Sequence, residues 1–198
     1  EAARAFNVTV CELEGYEADD LIATYARLAL EAGGTCTIVS SDKDLMQLVE
    51  PSGSIRLLDT IPRPGQPPLR WIGPDEVLAK FGVTPDKVID VQALCGDAVD
   101  NVPGVPGIGI KTAAQLINEY GSLEALLERT KEIKQPKRRE SLENNAELIR
   151  ISKQLVTLRD DVPTPAEPEA FDKRRPDPNV LLPWLEQQGF RTLLQRFT

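Results

Sequence analysis

Seven carboxylates stand in three tight groups along this chain of 198 residues: Glu17, Asp19 and Asp20 in EGYEADDLIATYA, Asp42 and Asp44 in TIVSSDKDLMQLV, and Asp97 and Asp100 in ALCGDAVDNVPG. The chain contains no histidine. Nucleophilic sites that depend on imidazole are therefore excluded, and any metal site must be built from oxygen ligands, which suit hard cations such as Mg2+ or Mn2+. Residues two apart in an extended lead-in, such as Glu17 and Asp19 or Asp42 and Asp44, project the same way. On a helical turn, residues three apart, such as Asp97 and Asp100, do the same. Each group can offer two oxygens to one site. Taken singly, each also has a plainer reading, because acids complement the first turn of a helix, can form N-caps and build turns. Brought together, seven carboxylates would repel one another unless cations sat between them. Ionised, they account for all but one unit of the net charge of −8. The acidic balance thus reads as a prospective metal site, not as a surface field that repels an anionic polymer.

A second kind of chemistry follows within a few residues. VPGIGIKTAAQLI, 105–117, has the form of a helix-hairpin-helix element, in which two glycines precede a helix that carries small residues at Ala113 and Ala114. Gly107, Ile108 and Gly109 can bring backbone N–H groups close to phosphates. The helix N-terminus at Lys111 and Thr112 favours an anion, and Lys111 adds a point charge. No base edge would be read, so binding is expected to be independent of sequence and sensitive to salt. A plain glycine turn between packed helices is the competing reading. The stretch RTKEIKQPKRR, 129–139, with Glu132 its only acid, is either a solvated loop or a further contact with the same duplex.

The elements that must position these residues are legible in outline. FNVTVC, 6–11, is short and β-branched enough for a strand; EADDLIATYARLALEA, 17–32, has helical spacing closed by Gly33 and Gly34; TCTIV, 35–39, is a buried-strand candidate. Strand, helix and strand in that order predict a βαβ unit, and a parallel sheet gathers its ligands at the C-terminal strand ends. SSDKDLMQLV then predicts a short helix and SIRLL, 54–58, another strand. The proline tract IPRPGQPPLRW, 61–71, can be neither helix nor central strand and marks a boundary between units 1–72 and 73–198. Beyond it the pattern is helix upon helix, with Pro at first positions and Gly stops, and with SLENNAELIRISKQLVTL forming one long helix or two. The fold class is α/β: the C-terminal part of a parallel-sheet domain followed by an all-helical module.

Cys11, Cys36 and Cys95 are odd in number and far apart, which predicts reduced, partly buried thiols in a cytosolic protein. No apolar run approaches the roughly 18 residues of a membrane span. The start EAARAFNVTVCELEG has no initiator Met and no signal-peptide pattern, so the chain is expected to be a piece of a longer protein.

EGYEADDLIATYA, TIVSSDKDLMQLV and ALCGDAVDNVPGVPGIGIKTAAQLI, in this order and spacing, closely resemble the 5' nuclease (5'-3' exonuclease) domains found at the N-terminus of bacterial DNA polymerase I. Those domains are related to phage 5' nucleases and flap endonucleases. FDKRRPDPNVLLPWLEQQGFRTLLQRF is similar to the end of the same domain, so the resemblance spans nearly the whole chain. It implies a PIN-like, resolvase-like α/β fold carrying a helix-3-turn-helix (SAM-like) module around 96–120, and a two-metal phosphodiester hydrolase that uses Mg2+ or Mn2+. Glu17 and Asp19 would serve the first metal with Asp20 beside them; Asp42, Asp44 and Asp100 would serve the second with Asp97 alongside. Lys111, Thr112 and the backbone of Gly107, Ile108 and Gly109 would hold duplex phosphates, with K+ as an optional ion at the hairpin. The implied partner is DNA with a 5' end or 5' flap, and the implied setting is a monomer in the bacterial cytoplasm, at the nucleoid, with a polymerase domain in the same polypeptide. The family's first strand with its leading metal-binding aspartate, a second upstream aspartate and the basic arch are expected before Glu1, so the first-metal set is expected to be incomplete here and this piece to bind duplex DNA but cut poorly or not at all. The alternatives are a non-catalytic duplex-binding module and a PIN-type ribonuclease, the latter disfavoured by the glycine hairpin.

Overall fold

The computed structural model describes all 198 residues. A one-turn helix α1 (Ala2–Ala5) opens the chain, and α2 (Ala18–Glu31) follows an irregular stretch. The sheet has three strands, β1 (Cys36–Val39), β2 (Ile55–Asp59) and β3 (Arg70–Ile72), in that spatial order. β1 and β2 are parallel, with Ile38 beside Leu57, while β3 returns antiparallel with Ile72 beside Leu57. The end of the proline tract thus becomes an edge strand, a sheet position that tolerates proline.

The expected strand at 6–11 is not formed. Asn7 adopts a left-handed φ of 58°, and the Val8 N–H donates to Ala3 O, turning the chain back on α1. Asn7 Nδ2 and Thr9 Oγ1 then donate to the carbonyls of Arg175 and Ala170, so this stretch is pinned to the C-terminal region rather than to the sheet. The expected βαβ order is replaced by α2, β1 and a crossover through a short 3-10 turn at Asp44–Leu48 into β2.

Helices follow as expected: α3 (Pro74–Phe81), α4 (Val88–Cys95), α5 (Ile110–Tyr120) and α6 (Leu123–Glu128). Pro74 opens α3 where its missing N–H costs nothing, and Gly82 closes it with φ 73°. Ser122 caps α6 by accepting from the Ala125 N–H. The long amphipathic stretch resolves into two helices, α7 (Pro136–Asn144) and α8 (Ala146–Val156), separated at Asn145. α9 (Pro178–Gln187) and α10 (Arg191–Phe197) end the chain and pack with α1 around Ala5, Leu181 and Leu185. No helix is long and apolar enough to cross a membrane.

One cluster of 27 buried apolar residues runs without a break from Ile38, Ile55 and Leu57 of the sheet through Val91 and Leu94 of α4 to Ile117, Leu126 and Ile149. The sheet edge and the helices beyond it share one core. That continuity fixes the loop after α4 relative to the loop after β1.

Candidate active site

The loop after β1 begins with an Asx turn, in which Asp42 Oδ1 accepts the Asp44 N–H at 3.0 Å. This turn starts the 3-10 helix and leaves Lys43 between two carboxylates. Asp44 is held from the other side by Gln92 of α4, whose buried Nε2 donates to Asp44 Oδ1 at 2.5 Å. The loop after α4 brings Asp97 and Asp100 to the same place. Ligand oxygens of Asp44, Asp97 and Asp100 all lie within 4.8 Å of one another. Lys43 Nζ sits among them, 2.5 Å from Asp97 Oδ2 and 3.5 Å from both Asp44 Oδ1 and Asp100 Oδ2.

Of the first carboxylate group, Asp19 lies near enough to Asp42 and Asp44 for their charges to act on it. Burial raises the Asp19 carboxyl above its ordinary value, and the charges of Asp42, Asp44, Glu17 and Asp20 raise it further. Burial also raises Asp44, opposed by the Gln92 hydrogen bond and Lys43 and reinforced by Asp42 and Asp100. Burial would push Asp97 up, but the Lys43 hydrogen bond, the Val99 amide and the Lys43 charge hold it below the usual carboxylate range. For Lys43 the same balance runs the other way: burial opposes its charge, and Asp97, Asp44 and Asp100 raise it well above an ordinary lysine.

The segment between α4 and α5 is shaped by two glycines that press backbone against backbone. A Cβ on Gly104 would lie 2.3 Å from Cys95 O, and one on Gly96, where φ is 70°, would lie 2.4 Å from Gly104 N. Only glycine fits at either position, and their contact closes the loop that carries the two aspartates. Inside it, Asp97 and Val102 exchange both backbone hydrogen bonds, and Asp97 Oδ1 accepts the Val99 N–H.

Past this pinch the chain turns outward. Val105 and Ile108 are buried, anchoring a hairpin whose Gly107 and Gly109 are exposed together with Ile110 and Lys111. The Ile108 side chain belongs to the core, so this residue can meet a ligand only through its backbone. Gly107 needs glycine for its φ of 81°. Gly109 does not: it is extended at φ −94°, and a Cβ there would meet nothing within 4 Å. The fold thus gives no steric reason for glycine at 109. Thr112 is half-buried in the first turn of that helix. Ser141 of α7 donates to Pro106 O, which holds the basic run 134–139 beside the hairpin.

The donor set suits a divalent cation. Its ligands are carboxylate oxygens alone, the buried Gln92 Oε1 beside them has no hydrogen-bond partner, and a lysine ammonium already marks a cation position. Asp97 lies in the close set with Asp44 and Asp100, while Asp42 stands beside it through its bond to the Asp44 amide. Glu17 is exposed at the N-cap of α2. Asp20 turns to another task, accepting the Arg159 N–H at 2.8 Å and so tying the chain after α8 to α2. Four residues that shape the set carry no clear mark of it in the sequence: Lys43, Gln92, Gly96 and Gly104. The alternating charge of DKD is a signal for the lysine, but Gln92 and the glycine contact are visible only once α4 is packed.

Two family descriptions match consecutive parts of the chain: "5'-3' exonuclease, N-terminal resolvase-like domain" over residues 1–82 and "5'-3' exonuclease, C-terminal SAM fold" over 83–179. DNA polymerase I of Rhizobium leguminosarum is 50% identical over 196 residues, which is 99% of this chain and 18% of that protein. The chain therefore spans about a fifth of the length of that relative. Among solved structures, the T5 D15 protein co-crystallised with metal ions superimposes with a TM-score of 0.64 at 23% identity, covering 73% of this chain and 50% of that one. The catalytic core of Rad2 in complex with DNA substrate gives 0.60 at 18% identity, covering 94% and 60%. At these identities the structural likeness establishes the shared fold.

Proposed function

Because the chain belongs to the 5'-3' exonuclease family, we propose that it hydrolyses DNA phosphodiester bonds at 5' ends and 5' flaps, as the nuclease part of a DNA polymerase I that removes primers and serves excision repair. The single observation that carries this reading is the segment joining α4 to α5. It delivers Asp97 and Asp100 to the carboxylate set and, a few residues later, presents Gly107, Gly109 and Lys111 at the surface. One short, glycine-pinched loop thus fixes the distance between a gripped phosphate and the one to be cut. The metal ions co-crystallised with the T5 D15 protein and the DNA substrate bound to Rad2 support both halves of the reading.

Asp44, Asp97 and Asp100 would hold one Mg2+ or Mn2+, with Asp42 beside them, and Asp19 with Glu17 would contribute to a second. A divalent pair supplies the Lewis acidity that activates water and stabilises the leaving oxygen. The chain's own residues orient the ligands: Gln92 fixes the Asp44 carboxylate, and the Val99 amide fixes Asp97. The α5 N-terminus with Lys111 and Thr112 holds duplex phosphates without reading bases, and K+ at the hairpin would assist. The remaining expectations, a monomer in the bacterial cytoplasm at the nucleoid, belong to the same proposal.

A second reading, a non-catalytic duplex-binding module, is favoured by one observation: Lys43 already neutralises part of the carboxylate set. Cleavage of a 5'-flap DNA in Mg2+ and in EDTA, assayed on this chain and on the longer polypeptide, separates the two. Mg2+-dependent cutting of the flap by the longer polypeptide is the expected result. Duplex binding with no cutting by either protein would leave the binding module.

A further inference from the structure

We infer that Lys43 is a built-in counterion that holds the cation position among Asp44, Asp97 and Asp100 until a divalent ion displaces it, so that metal loading is an exchange of lysine for metal. This rests on the metal reading above.

Three observations carry it. The Lys43 ammonium contacts the same three carboxylates whose oxygens lie within 4.8 Å of one another. A divalent ion bonds oxygens at about 2.0–2.6 Å, so an ion shared by these carboxylates takes the volume that the ammonium fills, and two cations at that spacing repel. Lys43 is also able to leave. Its side chain is 32% exposed, its stem is flexible, and beside it lies a polar depression bordered by Ser40, Ser41, Asp42 and Lys80. The Asx turn that places Lys43 uses Asp42 Oδ1 and the Asp44 N–H, neither of which involves the lysine side chain. The loop can thus keep its shape while the ammonium swings out.

The exchange has a defined consequence. With Lys43 in place, the carboxylates are partly neutralised and the metal-free protein avoids the repulsion of a bare cluster. A divalent ion entering this set must displace the internal competitor, so the set binds metal more weakly than the same carboxylates would without it. A monovalent ion brings no more charge than the ammonium it would replace, which disfavours it. Lys43 is in this sense a positioning residue whose work is done before substrate arrives.

The test is isothermal titration calorimetry of Mn2+ into the wild-type chain, Lys43→Met and Lys80→Met, with Tm measured in EDTA and in saturating Mn2+. Lys43→Met is expected to bind Mn2+ about tenfold more tightly, the scale on which one neighbouring charge acts. Its Tm should fall below wild type in EDTA, and that deficit should vanish in Mn2+. Lys80→Met, which removes a charge from the same depression, should leave both quantities near wild type. Unchanged or weaker binding by Lys43→Met, an equal gain in Lys80→Met, or a Tm deficit that persists in saturating Mn2+ would overturn the exchange. Wild-type protein offers an independent readout: acetylation of Lys43, followed by mass spectrometry, should be slow in EDTA and accelerate with Mn2+, and identical rates would contradict displacement. Absence of Mn2+ binding to all three proteins would overturn the metal reading itself, an outcome distinct from equal binding by wild type and Lys43→Met.

Discussion

Asp97 is held from three sides: its carboxylate pairs with Lys43 and accepts the Val99 N–H, while its backbone is bridged to Val102. Removing its charge leaves a half-buried ammonium without its nearest partner, a change that costs on the order of 1–3 kcal/mol in comparable settings. Because its folded-state titration lies below the ordinary value, the stabilisation is present above about pH 4 and is lost as pH falls through the lowered value. Asp97→Asn should therefore lower the urea midpoint at pH 7, and its stability curve should converge with wild type as pH drops below about 4. Midpoints that differ equally at both pH values would show that the pair contributes nothing specific. Single residues were legible to the extent that their chemistry is stated by type. Asp44, Asp97 and Asp100 stand out in the sequence because acids cluster around them, and the structure brings their oxygens within 4.8 Å of one another. Asp20, equally acidic, serves the Arg159 amide, and nothing in EADD distinguishes it from its neighbours.

Helix ends carry their own signals, which is why α3, α5 and α6 fall where Pro74, Gly121, Ser122 and the apolar spacing put them. Strands do not carry them as clearly: β-branched residues at 6–11 satisfy the pattern of a strand, yet the left-handed Asn7 and the bonds to Ala170 and Arg175 hold them elsewhere. The loop from α4 to α5 depends on the contact between Cys95–Gly96 and Gly104, which pairs residues eight or more apart and leaves no mark in local sequence. It also makes a contrast that can be measured. Gly104→Ala drives a Cβ into the Cys95 carbonyl, backbone that cannot swing aside, and should destabilise the protein by about 2 kcal/mol or more. Gly109→Ala meets nothing within 4 Å and should keep the wild-type Tm while weakening duplex binding about fivefold, as expected for one lost backbone contact. Calorimetry and fluorescence anisotropy on the two variants check this; a destabilised Gly109→Ala with normal binding would assign its glycine to the fold instead.

The shared core joins the carboxylate set and the glycine hairpin in one packed body. Asp90, mostly buried on α4, accepts the Leu123 N–H of α6 and pairs with Lys153 of α8 at 2.8 Å, so the helices around the hairpin are cross-tied below it. Ser152 of α8 donates to Pro103 O and Ser141 of α7 to Pro106 O, fixing both flanks of the turn. The carboxylate set and the exposed α5 N-terminus are therefore held at constant separation, and a chain of net charge −8 can still present Lys111 and the basic run of α7 on one side. That division of charge was readable in the sequence because the acids cluster; the rigidity was not, since it arises from buried contacts between distant helices. The decisive measurement is steady-state cleavage of a 5'-flap DNA in Mg2+ by the longer polypeptide carrying Asp100→Ala or Lys111→Ala, with duplex affinity measured in parallel. Asp100→Ala should reduce kcat by at least about a thousandfold and leave duplex Kd near wild type, while Lys111→Ala should weaken binding, reduce its salt slope by about one phosphate contact and spare kcat. Undiminished cleavage by Asp100→Ala, or loss of duplex binding in that variant with normal binding in Lys111→Ala, would contradict the assignment of cutting to one end of the loop and gripping to the other.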